Sequence, residues 1–162
     1  MKRIYSVWVE NRSGVLSKVA GLFARRSYNI DSLTVGETQD KTVSNMTIVS
    51  TGTKQTLEQI EKQLNKKLDV IKVRTFSGEE AILREVILIK VRYSPAERRE
   101  LMEICEFIKA DIVDATATHM IITLCDTPEH IEKLLSMIRK FNIAEISRTG
   151  TLAMPKCTEG EA

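Results

Sequence analysis

Cysteine, histidine, proline and aromatic residues are all scarce in this chain, and each scarcity removes a class of function. The three cysteines in 162 residues, Cys105, Cys125 and Cys157, are odd in number, far apart and form no CxxC pair. That pattern argues against a disulfide scaffold and fits reduced thiols; Cys105 and Cys125 lie in apolar runs and read as small buried hydrophobes. A ferredoxin-type electron carrier is excluded because it needs a set of cysteine ligands. The only two histidines, His119 and His130, have no partners at metal-ligand spacing and read as solvated surface. Aromatic residues make up 5% of the chain, with a single tryptophan. The seven glycines are scattered, so there is no phosphate loop or nucleotide fingerprint, and no nucleophile elbow is present. Long apolar runs are missing too, with none approaching the roughly 20 residues of a membrane span. The opening Met1-Lys2-Arg3-Ile4-Tyr5-Ser6 lacks a signal-peptide core. The expected location is the cytoplasm, with neither a membrane nor a nucleic-acid partner.

What the chain has is a 43% hydrophobic content with 28% charged residues, ample for a core and a charged surface. The net charge of +2 is unevenly placed. Residues 1–76 carry 13 Lys/Arg against 7 Asp/Glu, and residues 77–162 carry 11 against 15. This asymmetry points to two units with different surroundings.

The pattern of apolar residues repeats. Arg3–Glu10 reads as a strand. Gly14–Ser27 reads as an amphipathic helix with Leu16, Val19, Ala20 and Phe23 on its apolar face and Arg25-Arg26 at its C-terminal end. Residues Asn29–Thr38 and Thr42–Thr51 form a hairpin pattern across Gln39-Asp40-Lys41. A helix capped by Thr53 follows, with Leu57, Ile60, Leu64 and Leu68 on one face, and Val70–Arg74 closes the unit as a strand. The second half restarts with strand Val86–Val91, whose largely apolar character predicts burial on both faces. Ser94-Pro95 caps a helix bearing Leu101, Ile104, Cys105 and Ile108. Strands Ile112–Thr118 and Met120–Leu124 lead to Thr127-Pro128, a helix with Ile131, Leu134, Leu135 and Ile138, and a last strand over Ile143–Leu152. The fold class is therefore α+β, as two tandem ferredoxin-like βαββαβ domains of about 75 residues each. The first spans 1–76 and the second 81–155, joined by a linker at 77–80, with a disordered tail at 156–162. A unit this small, with one sheet face uncovered, calls for pairing with another copy, so a homodimer is expected.

The segment Asn11-Arg12-Ser13-Gly14-Val15-Leu16-Ser17 joins the first strand to the first helix. Ser13 has the chemistry of an N-cap, and Gly14 then opens the helix without a side chain. Free N–H groups at the positive end of a helix dipole suit a small carboxylate. Asn11 adds an amide that both donates and accepts. Asn29, before the second strand, is placed as a second amide facing this loop, with Ile30 as an apolar wall. An ordinary capped helix, and an Asn29 that merely ends the preceding helix in a left-handed conformation, are equally compatible with these residues. No acid–base or nucleophile set accompanies them, so the chemistry is recognition rather than catalysis. RNA-recognition modules share the βαββαβ order but stack bases on central-strand aromatics. The strand Thr42–Thr51 has none and the first strand offers only Tyr5 and Trp8, which argues against that reading.

Asn11–Ser17, Gly21-Leu22-Phe23, Tyr28-Asn29-Ile30-Asp31-Ser32-Leu33-Thr34-Val35 and Leu57-Glu58-Gln59-Ile60-Glu61-Lys62-Gln63-Leu64 together resemble the regulatory small subunit of acetohydroxyacid synthase (acetolactate synthase). The resemblance runs from the first strand to about residue 155. It implies an N-terminal ACT domain, a second ferredoxin-like domain, and a homodimer that binds valine where two ACT domains meet. It further implies a partner, the catalytic large subunit, which carries thiamine diphosphate, magnesium and FAD; this chain would hold no cofactor, metal site or catalytic residue. The partner would be activated by this subunit and inhibited by valine through it. Carried onto this chain, the effector-site residues are Asn11, Gly14, Val15, Leu16, Asn29 and Ile30. A stand-alone amino-acid-sensing ACT protein, without an enzyme partner, is the alternative.

Overall fold

Alternating apolar residues in the first strand drive the first layer. In the computed structural model, which describes residues 1–77 and 79–157, β1 (Lys2–Glu10) turns Tyr5, Val7 and Val9 to a face where they are at most 1% exposed. Two helices cover that face, α1 (Val15–Arg25) and α2 (Lys54–Asn65). The remaining strands are β2 (Ser32–Glu37), β3 (Val43–Thr51) and β4 (Val70–Phe76), and the sheet order is β2-β3-β1-β4. β3 is antiparallel to both β1 and β2, with Ile4 opposite Val49 and Val49 opposite Ser32. Tyr5, Phe23, Met46, Ile48, Leu57, Ile60 and Leu64 fill the space between the layers. Thr53 caps α2 by accepting the Thr56 N–H at 3.1 Å, as its sequence position predicts.

The second half repeats the plan. Its elements are β5 (Ala81–Arg92), α3 (Arg98–Ile108), β6 (Asp111–Ala115), β7 (His119–Asp126), α4 (Pro128–Ile138) and β8 (Asn142–Arg148), with sheet order β6-β7-β5-β8. Its core joins Ile87, Ile89 and Val91 to Leu101, Cys105, Ile108, Ile131, Leu134 and Ile138. Thr127 caps α4 with Pro128 in its first turn. Buried Glu85 is paired with Arg148 at 2.5 Å, and Arg148 reaches Glu132 at 2.8 Å. The two-domain α+β class with ferredoxin-like units is thus the observed one.

Several local expectations are corrected. Strand β9 (Leu152–Pro155) is separate from β8, broken off at Gly150, whose φ is +83°. Among the described residues the chain divides into one compact unit made of the segment up to 83 with 151–157 and another of 84–150, so the start of β5 and all of β9 lie with the first unit. The reason is apolar cover. Ala81, Leu83 and Ala153 pack on Ile4, Val49 and Phe76, which face away from the two helices. Lys156, expected in a disordered tail, donates its N–H to Glu80 O at 3.1 Å, while 158–162 and Gly78 of the linker lie outside the described residues. Val86–Val91 is buried on one face only, since Leu88 is 45% exposed. Leu68 falls beyond the end of α2 and is 98% exposed. Ser94-Pro95 precedes a turn rather than the helix itself: Glu97 turns back to accept from the Ser94 N–H and hydroxyl, both at 2.7 Å, and α3 starts at Arg98. Cys105 is buried as expected, but Cys125 points from β7 to the outer sheet face and is exposed. His130 is held by Asp126 at 2.5 Å rather than standing free on the surface.

The Tyr5 hydroxyl, wholly buried, donates to Leu57 O at 2.8 Å and ties β1 to α2. Burial pushes its pKa well above the ordinary phenol value. Tyr5→Phe is expected to cost about 1 kcal/mol, the net worth of one such bond, in urea unfolding. Ala153→Glu, which sets a carboxylate against Ile4 and Phe76, is expected to lower the unfolding midpoint and raise binding of a hydrophobic dye.

Candidate effector site

The loop after β1 is held from both sides. Asn11 N–H donates to Thr42 O at 2.7 Å, and its side-chain amide donates to Lys41 O at 2.8 Å and to Glu37 Oε1 at 3.2 Å. The hairpin that receives it is itself shaped by Asp40, which accepts from the Thr42 N–H and hydroxyl; those bonds hold its carboxyl below the usual carboxylate range. Asn11 Oδ1 takes no donor among the described residues, so it remains an acceptor at the surface. On the other side Arg12 reaches Asp69 at 2.6 Å and Glu10 at 2.5 Å.

Gly14, not Ser13, is the N-cap of α1. Its φ of +86° is left-handed, no side chain caps the helix, and no acidic residue lies in the first turn. Lys18 N–H is the first to find a helical acceptor, Gly14 O at 3.0 Å. The N–H groups of Leu16 and Ser17 find none among the described residues. The positive end of α1 is therefore open and carries neither a capping side chain nor a carboxylate. Leu16, expected on the buried face, is 44% exposed beside this opening, because the buried stripe runs through Val15, Val19, Leu22 and Phe23. Val15 belongs to the core at 2% exposure, so only its backbone is available here.

Asn29 and Ile30 lie elsewhere in the chain. β2 runs parallel to β1, both being antiparallel to β3, so the segment before β2 sits at the opposite end of the sheet from the loop after β1. Ser32 is level with Ile4, six residues from Glu10, or about 20 Å at strand rise. The expectation that Asn29 faces Asn11 within one unit is wrong for this reason. Asn29 Nδ2 donates to Asp31 Oδ1 at 2.6 Å, its carbonyl accepts from Ser50 Oγ at 2.6 Å, and Ile30 packs against the core. Nor does Asn29 end the helix: the left-handed residue after α1 is Ser27, with φ of 54°. What joins the two ends is β2 itself. It is an edge strand with an unpaired outer side, and Val35 is 42% exposed on it.

Sequence reasoning passed over Asp69. It is 6% exposed in the turn between α2 and β4, and it accepts from Arg12 and from Lys18 Nζ at 2.8 Å. The hydrogen bond from Lys18 first, then that from Arg12, holds its carboxyl below the usual range. No spacing signal marks it, since its partners are some fifty residues away in sequence. Among the described residues no group of carboxylates, histidines or cysteines is arranged to hold a metal ion, and no helix is long and apolar enough to cross a membrane.

Two βαββαβ units in tandem, the first with an open, glycine-led helix start beside a free sheet edge, define a chain of the ACT-domain class. Residues 5–72 match the family described as AHAS small subunit-like ACT domain, and residues 84–157 match the small subunit of acetolactate synthase. The chain is 43% identical to the acetolactate synthase small subunit of Haemophilus influenzae, over 96% of each chain. It is 40% identical to that of Bacillus subtilis, over 100% of this chain and 95% of the relative. The crystal structure of the Thermotoga maritima acetolactate synthase small subunit superposes with a TM-score of 0.89 at 35% identity, over 98% of this chain and 99% of that one. The chain belongs to the acetolactate synthase small-subunit family, which works in branched-chain amino-acid biosynthesis, and a small subunit implies a large catalytic partner.

Two glycines of this region are expected to respond oppositely to alanine. Gly14→Ala meets no atom within 4 Å but must adopt a φ of +86°, and is expected to destabilise by about 1 kcal/mol. Gly21→Ala, within α1, approaches only the Arg25 guanidinium at 3.4 Å and is expected to stabilise by about 0.5–1 kcal/mol. Thermal unfolding of both variants checks the signs.

Proposed function

We propose that this chain is a non-catalytic regulatory subunit that activates the acetolactate synthase catalytic subunit and carries feedback inhibition by valine. The observation that carries the reading is the start of α1, which has no capping side chain and no acidic residue in its first turn, with Asn11 in the loop that leads to it and Leu16 exposed at its rim. A zwitterionic amino acid needs these three things: N–H donors for its carboxylate, an oxygen acceptor for its ammonium, and apolar cover for its side chain. Burying an isopropyl group contributes about 1.5–3 kcal/mol. Feedback requires that valine bind the low-activity state better, typically by about 1–3 kcal/mol. Thiamine diphosphate, magnesium and FAD belong to the catalytic partner on this reading, and the reaction is carried out there.

The site is completed by a second copy. Isologous antiparallel pairing of β2 with its twin brings the Ser32 end of one chain beside the Glu37 end of the other. Asn29 and Asp31 of one protomer then approach Asn11 and Gly14 of its partner. The geometry of the single chain supports this, because the free edge and the two half-sites lie along the same strand.

Calorimetry on the isolated chain with valine, leucine and isoleucine is expected to register valine binding. Co-purification with a catalytic subunit separates the regulatory reading from the stand-alone sensor. Asn11→Ala and Asn29→Ala are each expected to weaken valine binding about tenfold or more, the worth of a hydrogen bond to a charged group. When the two variants are co-expressed, the mixed dimer regains one intact site and with it binding of the wild-type affinity. Failure of the mixture to regain it would overturn the shared site. Gly14→Asp, which adds a carboxylate at the anion-receiving helix start, is expected to abolish valine inhibition of the reconstituted holoenzyme.

A further inference from the structure

Asp69 joins three segments around the start of α1. Its carboxylate accepts from Arg12 in the loop (2.6 Å) and from Lys18 in α1 (2.8 Å), and its backbone carbonyl accepts the N–H of Glu10, the last residue of β1 (3.0 Å). The loop Asn11–Gly14 is thereby pinned at one side by the hairpin, through Asn11, and at the other by the turn between α2 and β4. Asp69 fixes the two cations nearest the start of α1: Lys18, and Arg12, which it shares with Glu10. Lys18 and Arg12 side chains are 60% and 62% exposed, whereas that of Asp69 is 9% exposed, so the anchor is the carboxylate and the cations are what it holds.

We propose that Asp69 is a positioning residue for effector binding: it holds the Asn11–Gly14 loop and the start of α1 in the shape that receives the ligand's carboxylate, without touching the ligand. The proposal rests on the effector reading given above. It predicts that Asp69→Asn, which keeps the side-chain shape but loses the charge, raises the valine concentration for half-inhibition of the reconstituted holoenzyme by about tenfold or more. The uninhibited rate stays within about twofold of wild type, because the clamp acts on effector binding and not on catalysis. Lys18→Met removes one arm from an exposed position and is expected to shift valine sensitivity in the same direction by a smaller factor. The double variant is expected to be no less sensitive than Asp69→Asn alone, since the two residues form one contact. Should Asp69→Asn fail to fold, Lys18→Met carries the test.

Wild-type holoenzyme that shows no response to valine would overturn the effector reading itself. A wild-type response with Asp69→Asn or, in its absence, Lys18→Met unchanged in sensitivity would overturn the clamp alone. Additive effects in the double variant, or a lowered melting temperature with valine sensitivity unchanged, would likewise assign Asp69 a structural role only.

Discussion

The ladder of β3, antiparallel at once to β1 and to β2, is the constraint on which the first unit depends. It makes β1 and β2 parallel, separates their leading and trailing loops by the length of the sheet, and leaves β2 at an edge with one side unpaired. A sheet built this way cannot bring the loop after β1 to the segment before β2 inside one chain.

Both units bury one face of a sheet under two helices, yet they treat the other face differently. In the first unit Ile4, Val49 and Phe76 would be an apolar patch on the outer face, and Ala81, Leu83 and Ala153 cover them. The covering strands come from the junction after residue 77 and from the end of the chain, so two segments remote in sequence share one hydrophobic cluster. In the second unit the corresponding face keeps Leu88 partly exposed among polar neighbours such as Lys90 and Glu145, which pair with each other. Burial energy decides where the chain's last strand goes, more than its adjacency to β8 does.

Electrostatics is concentrated where backbone groups are left open. The start of α1 has no capping side chain and no acidic residue, an arrangement that forgoes roughly 1 kcal/mol of helix stability. Helices α2 and α4, by contrast, are capped by the side chains of Thr53 and Thr127. Around the open end, Asp69 collects the nearby cations and Asp40 shapes the hairpin that holds Asn11. An unmet requirement of the helix start thus sits inside a ring of fully met ones.

Much of this was legible from residue order. Apolar periodicity and cap residues gave the βαββαβ repeat, most of the buried positions, and the prominence of Asn11 and Gly14, because those signals are local: a helix or strand face repeats within a few residues. Leu16 and Leu68 were misread because periodicity does not say where a helix stops or which of two adjacent stripes turns inward. Cys125 was misread because an apolar run in a strand has two faces and only one is covered. Three matters were decided by tertiary structure alone. The register of β3 put Asn29 at the far end of the sheet from Asn11, a shared hydrophobic cluster drew β9 to the first unit, and Asp69 found its cations across some fifty residues. Each depends on contacts between segments distant in sequence, and no local pattern encodes the distance between them.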